Sequence, residues 1–262
     1  MNSLKLVPFQ ALLRREIHRF FKEAAQTVLT PMINSSLYLL IFGISLGPSI
    51  KIESGVSYLA FLIPGLVMMA CLNNSFQNSS SSIIGAKFGG DLEDLKSSPL
   101  TPQNLIWAYS LGALTRGLIV GALTFLIGEI FYYVSQGQLL PVANWPVLLL
   151  FLLIGSFTFS QLGICVAFWA KTFDQLSAVT GFVLLPLIYL GGVFYSVSNL
   201  HPFWQAVSRS NPLLYLINGV REGILGQSDV DLVTAILVAL VGFLVTHAMA
   251  YWSLTKGSYL RW

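Results

Sequence analysis

The chain has 262 residues, 55% of them hydrophobic and only 10% charged, with a formal net charge of +3 and a mean hydropathy of +0.73. An average soluble domain carries roughly 25% charged residues, so a water-soluble globule is excluded. The positive charge is too small and too scattered to mark a nucleic-acid partner.

Residues 5–25 come first. Phe9, Leu13, Ile17, Phe20 and Ala24 recur at helical spacing while Arg14, His18 and Lys22 share another face, which predicts an amphipathic helix. Such a helix suits the plane of an anionic leaflet, with membrane lipid as its partner; a generic topogenic charge cluster is the plainer reading. Six apolar runs follow, Val28 to Leu46, Val56 to Phe76, Leu105 to Ile127, Pro146 to Trp169, Leu176 to Tyr195 and Leu232 to Leu254. A hydrocarbon core about 30 Å thick needs roughly 20 helical residues, and each run is long enough or nearly so. None alternates apolar with polar as barrel strands do, so an all-α bundle of six transmembrane helices is expected. The first run starts after Glu16 and Glu23 with no small-residue cleavage pattern behind it, so it is expected to be a mature span.

The second run passes without a break into Asn73, Asn74, Ser75, Gln77, Asn78 and Ser79 to Ser82. This is either a polar linker or a helix continuing into a watery vestibule, since no Gly or Pro interrupts it before Gly85. Asn-x-Ser matches at Asn34, Asn73 and Asn78 fall where glycosylation cannot reach them. The connector 87–102 is the most charged. Asp91 can cap a short helix, Asp94 takes the capping-box position, Lys96 lies toward its end and Pro99 stops it. It reads as a solvated turn or as a docking knob for a partner. The next connector, 135–145, has no charge. Residues 198–226 are too apolar for exposure to water, and with Pro202 and Pro212 as starters and Gly226 as stop they predict two short helices re-entering the outer leaflet. Counting charges by connector puts Lys5, Arg14, Arg15, Arg19, Lys22, Lys87, Lys96, Lys171, Lys256 and Arg261 on the side of the termini, and Lys51, Arg209 and Arg221 opposite. The positive-inside rule therefore predicts cytoplasmic termini.

No catalytic set is legible: the histidines 18, 201 and 247 are scattered, no metal-ligand or nucleophile motif occurs, and no Gly-rich phosphate loop is present. Cys71 and Cys165 read as small buried fillers. Arg116 and Glu129 stand 13 positions apart on one helix and cannot pair there; Arg116 reads as a structural residue met by neighbouring helices or vestibule water, Glu129 as an outer interface group. Gly117 and Gly121 form a close-packing face. Pro64-Gly65 and Pro186, with Gly191-Gly192 beyond it, predict kinks or openings in the second and fifth spans, either ordinary kinks or a pointer to a transport path.

Together the motifs Tyr189-Leu-Gly-Gly-Val-Phe-Tyr195, Pro202-Phe-Trp204, Asn211-Pro212, Gly219-Val-Arg221, Pro64-Gly65, Ala86-Lys-Phe88 and Glu93-Asp-Leu95 to Ser98-Pro99 resemble the ABC-2 type permeases, of the YadH-like and NodJ-like bacterial branch. The resemblance implies one transmembrane domain over residues 1–262 and a homodimer in a bacterial cytoplasmic (inner) membrane. Two copies of a separate ABC ATPase would bind the ATP and magnesium that this chain does not. It implies a connecting helix marked by Arg14, Arg15, Arg19 and Phe20, a coupling helix with Asp91, Leu92, Glu93, Asp94, Leu95 and Lys96, and a second contact at Lys171 and Asp174. It places the second and fifth spans toward the two-fold axis. The expected path for an amphipathic or lipid-like cargo is Phe61, Pro64, Met68, Asn73, Phe76, Phe182, Pro186 and Tyr189; the expected outer gate is Phe194, Phe203, Trp204, Asn211 and Arg221. An ATP-independent transporter or channel is the rival expectation, and a non-transporting membrane anchor a third.

Overall fold

The computed structural model describes residues 3–22, 24–50, 55–91 and 98–256. The described residues form an all-helical bundle with six helices long and apolar enough to cross a membrane. Helix α1 (Ser3–Lys22) lies along the bundle, and α2 (Ala24–Tyr38) continues through a π-helical stretch, Leu39–Leu46, as span 1. Spans 2, 3 and 4 are α3 (Tyr58–Gly89), α4 (Pro102–Gln136) and α5 (Trp145–Trp169). Span 5 is α6 (Phe173–Val179), a π-helical turn at Thr180–Leu184 and α7 (Leu185–Leu190). Then come α8 (Pro202–Arg209), α9 (Pro212–Leu225) and span 6, α10 (Leu232–Lys256).

Local chemistry sets the boundaries. Ser57, Thr101, Asn144, Thr172 and Asn211 each turn a side-chain oxygen onto a first-turn N–H, satisfying donors that a helix start leaves open. Asp231 does the same for Thr234, and those bonds hold its carboxyl below the usual range. Pro102, Pro146, Pro202 and Pro212 occupy the first helical positions, where a missing N–H is no loss. Helices α4 and α9 stop at Gly137 and Gly226, with φ of +73° and +68°, a left-handed geometry open to glycine.

The polar continuation of span 2 is helix throughout: α3 runs 32 residues, through Pro64 and past Ser82. It is the central helix, packed against α4 and α5, with α9 and α10 closing around α5. Its serines and asparagines serve that packing. Ser79 Oγ donates to the Ser160 carbonyl at 2.7 Å, and a Cβ at Gly163 would lie 2.6 Å from the Phe76 carbonyl oxygen. Gly117 faces Ser75, as the small-residue spacing predicts. Cys71 is buried beside Ser156, 2.9 Å away. Gln161 joins α5 to α10 through Thr246 and His247, both at 3.2 Å. At the end away from the termini, Glu129 accepts the Leu140 N–H at 3.0 Å and so fixes the uncharged connector.

The segment 198–226 contains the two expected helices. Gly219 and Gly223, one turn apart on α9, lie against Phe151 and Leu148, so α9 packs flat on α5, and the Asn144 and Ala143 N–H groups bond to the Gly223 and Ile224 carbonyls. Pro186 is absorbed differently from Pro64. Proline cannot donate, and its ring crowds the carbonyl four residues back; the turn before it widens, and Leu185 N–H reaches back five residues to the Thr180 carbonyl. Spans 1 and 5 both carry π-helical turns and are the least enclosed besides span 6, with 22% and 17% of their apolar windows buried against 89% for span 2.

Candidate functional site

Three helical stripes line an open cavity of about 760 Å³. Span 1 contributes Thr27, Thr30, Asn34 and Tyr38; span 2 contributes Met69, Asn73, Gln77 and Ser80; span 5 contributes Ser177, Thr180, Gly181 and Tyr189. Each set follows the three-to-four residue period of one helix face. All belong to the part of the bundle that begins at the termini and stops short of the opposite end. Arg116 enters the wall from span 3, its Nε donating to Asn74 Oδ1 at 3.1 Å while Asn74 Nδ2 donates to the Ala70 carbonyl at 3.0 Å. A buried guanidinium is thereby held by polar groups of a neighbouring helix.

Away from the termini the cavity ends in an aromatic cluster. Tyr38 and Tyr189 hydroxyls are 3.2 Å apart, and the Phe194 ring lies 5.4 Å from Tyr38, 5.6 Å from Tyr189 and 5.3 Å from Phe42, centroid to centroid. Tyr58 OH donates to the Phe194 carbonyl at 2.7 Å, anchoring the cluster to the start of span 2.

A second set of ties locks the loop beyond span 5. Arg221, buried on α9, sits 3.8 Å above the Phe61 ring. Its Nη2 donates to the Gly192 carbonyl at 2.8 Å and its Nη1 to Asn218 Oδ1 at 2.9 Å. The same Asn218 oxygen accepts Asp229 N–H, and the Asp229 carboxylate accepts Ser196 Oγ at 2.7 Å and Val197 N–H at 2.9 Å. Asn211 Nδ2 donates to the Leu187 carbonyl at 2.6 Å, a last-turn oxygen that span 5 does not satisfy itself.

The end nearer the termini carries a different connection. Glu16 is fully buried and accepts Ser82 Oγ at 2.8 Å; Arg19 lies 3.4 Å from it and donates to the Asn78 carbonyl at 2.7 Å and to Ser81 Oγ at 3.2 Å. Gly112 makes room, since a Cβ there would meet Glu16 Cβ at 2.7 Å. Lys87 spends its three donors on the Ala167, Phe168 and Ala170 carbonyls at 2.5, 2.9 and 3.0 Å, capping span 4 with a cation. Phe88 stacks on Phe173 at 5.1 Å, so the end of span 2, the end of span 4 and the start of span 5 form one joint.

Of the expected path residues, Asn73 and Tyr189 line the cavity. Phe61, Met68 and Phe76 are buried in the core instead, because α3 is enclosed and its apolar faces turn to α4, α5 and α9. Pro64 is buried within α3, and it is its neighbour Gly65 that faces Val193, where a Cβ would meet the Val193 carbonyl oxygen at 2.9 Å. Phe182, 82% exposed, faces away from the cavity, and Pro186 lies in the first turn of α7, just after the π-helical turn. Of the expected gate residues, Phe194 is in the aromatic cluster and Asn211 and Arg221 in the ties. Phe203 and Trp204 meet edge to face on the exposed side of α8, ring centroids 5.2 Å apart.

On α1, Arg14 and Arg15 are exposed while Phe20 is buried and Arg19 turns inward. The buried row is Leu12, Glu16 and Phe20, one position round from the row Phe9, Leu13 and Ile17. Asp91, Lys171 and Asp174 are exposed beside the joint; Leu92, Glu93, Asp94, Leu95 and Lys96 lie outside the described residues. Sequence reasoning missed Glu16, the caps made by Lys87, and the stripe on span 1, whose signal was Thr27, Thr30, Asn34 and Tyr38 at helical spacing.

Comparison with known proteins agrees with this architecture. The profile of the ABC-2 type transporter family matches residues 8–225. The chain is 42% identical over 256 residues to the inner membrane transport permease YadH of Escherichia coli (strain K12), covering 98% of this chain and 97% of that protein. It is 26% identical over 228 residues to nodulation protein J of Neorhizobium galegae, covering 87% and 85%. Against nodulation protein J of Rhizobium leguminosarum bv. viciae identity is 24% over 247 residues, covering 91% and 92%. With six helices long and apolar enough to cross a membrane, and with that match along most of its length, the chain belongs to the ABC-2 type transporter family.

Proposed function

We propose that this chain is the permease subunit of an ATP-binding cassette exporter. Two copies form a homodimer in a bacterial inner membrane with both termini in the cytoplasm, and two copies of a separate ATPase bind ATP and magnesium. The observation that carries this reading is the cavity between spans 1, 2 and 5, whose walls begin at the terminal end and which closes at Tyr38, Tyr189 and Phe194. That is the shape of a carrier waiting on its loading side. The basic bias of the terminal connectors supports the cytoplasmic assignment, and the similarity to the inner membrane transport permease YadH supports an inner membrane.

In this mechanism the region from Asp91 to Ser98 is the coupling helix, seated on the ATPase, and the exposed turn with Lys171 and Asp174 is the second contact. A push there reaches spans 2, 4 and 5 together, because Lys87 and Phe88 join their ends. Helix α1 follows span 2 through Glu16, Arg19 and Ser82. The loading end narrows, the Tyr38–Tyr189 contact parts, and an amphipathic cargo leaves past Phe194 and the re-entrant α8–α9 hairpin. The test exchanges Asp91 and Glu93 for Lys. Loss of ATPase association in a pulldown, with the membrane chain still folded, is expected; retained association and unchanged ATP hydrolysis would remove the docking role.

A further inference from the structure

Spans 3, 4 and 6 carry, outside the cavity, a polar and aromatic cluster that the transport path does not use. Trp107 on span 3 meets Phe157 on span 4 edge to face, ring centroids 5.6 Å apart, and lies 5.7 Å from His247 on span 6. Phe243 closes the circle, 6.2 Å from Phe157 and 6.0 Å from His247. All four rings are half-buried, so the cluster is packed on one side and open on the other. Thr246 Oγ1 donates to Gln161 Oε1, which turns the amide nitrogen of Gln161 toward His247 Nδ1, both at 3.2 Å. An amide nitrogen only donates, so Nδ1 accepts and the neutral ring carries its proton on Nε2. That N–H and the indole N–H of Trp107 meet no acceptor among the described residues.

We infer that this cluster binds the phosphate of a membrane phospholipid in the leaflet nearer the termini. Two donors left bare beside hydrocarbon cost free energy, which an acceptor from the bilayer recovers. Depth puts a phosphate within reach. Leu12 of α1, Ile106, Ile164 and Ala250 share one buried apolar cluster, and Gly112 abuts Glu16, so α1 lies level with Trp107, Gln161 and His247. The exposed Arg14 and Arg15 of α1 mark that level as the head-group boundary. The donor count selects the head. A phosphate diester brings several acceptor oxygens and no donor, and its bonds to N–H groups are charge-assisted. A hydroxyl head would bring donors that the cluster cannot meet, because Gln161 Oε1 and His247 Nδ1 are already taken. An ester carbonyl would offer one oxygen to two donors. From the rings, Leu240 and Phe243 on span 6 and Leu153 and Phe157 on span 4 continue toward the middle of the bilayer at helical spacing, a bed for one acyl chain.

The test uses the full chain in detergent micelles with two photolabels, a phosphatidylmethanol and a diacylglycerol that carry the same diazirine on one acyl chain. Crosslinked peptides are located by mass spectrometry. Phosphatidylmethanol is expected to label segments 150–157 and 236–244 roughly fivefold more than diacylglycerol, the worth of one to two net hydrogen bonds. Trp107→Phe and His247→Phe keep a ring and remove the N–H, and each is expected to bring that labelling down to the diacylglycerol level. Trp252→Phe, exposed on span 6 outside the cluster, is expected to leave it unchanged. If His247→Phe fails to fold, Trp107→Phe decides alone. Equal labelling by the two lipids, no effect of the ring-preserving variants, or an equal loss in Trp252→Phe overturns the assignment. Competition by inorganic phosphate as effective as that by unlabelled phosphatidylmethanol overturns it too, leaving a site for a free anion rather than a lipid.

Discussion

Glu16 is the residue on which the attachment of α1 depends. A buried carboxylate persists only where hydrogen bonds replace water, and here Ser82 and Arg19 do so. Glu16→Ala leaves Arg15, Arg19 and Ser82 without that acceptor and should cost about 2 kcal/mol, less than a fully buried pair because both arginines keep some solvent. Thermal unfolding in detergent checks the loss, and limited proteolysis should cut α1 first. Wild-type melting and an intact α1 would show that the contact carries no stability. The sequence concealed this role because a carboxylate among Arg14, Arg15 and Arg19 looks like part of a solvated face; only its place between Leu12 and Phe20, four residues to either side, hinted at burial. Asn34 was hidden in the same way, its Asn-x-Ser context drawing attention from the helical stripe it shares with Thr30 and Tyr38.

Among elements, the spans were the most legible because about twenty apolar residues in a row have one physical solution in a bilayer. Helix rotation was not legible. A central helix such as α3 is apolar on several sides, so Phe61, Met68 and Phe76 could not be told from cavity residues by composition. The polar run after Phe76 was equally ambiguous, because hydroxyls that bond to helix carbonyls look like a linker until their partners are known. Glycines distinguish the packed from the open surfaces. Gly223→Ala would drive a Cβ to 2.7 Å from Leu148 backbone atoms and should cost about 1–3 kcal/mol by overpacking. Gly181→Ala meets nothing within 4 Å and should leave stability unchanged or raise it by about 0.5–1 kcal/mol through helix propensity. Melting curves of the pair decide whether α9 lies on α5 as described; equal effects would contradict it. At the joint, Lys87→Met uncovers three carbonyls at the end of span 4 and should cost about 1–3 kcal/mol. ATP hydrolysis by the complex should then lose its dependence on cargo, and full coupling in this variant would break the proposed link between spans 2 and 4.

For the whole molecule, the division of labour follows from position. The cavity lies among the two loosest cavity-lining spans and the most enclosed one, so spans 1 and 5 can move against span 2 without opening the core. The π-helical turns in both spans mark where their geometry is already relaxed. Pro186→Ala should tighten the turn at Thr180 and slow transport while leaving assembly intact; a non-transporting anchor would be indifferent to the change. The family resemblance was legible in motifs along the chain, whereas the proposed docking surface has no signature beyond its charges: Asp91, Lys171 and Asp174 are exposed. The central claim is that nucleotide on a separate ATPase moves the cavity from one side of the membrane to the other. Side-specific labelling of Asn73→Cys, in the Cys71→Ser and Cys165→Ser background, tests it most directly in sealed vesicles of both orientations. Labelling from the cytoplasmic side without nucleotide, abolished by ATP with vanadate, is the predicted result; labelling indifferent to nucleotide but switched by an ion gradient would contradict it.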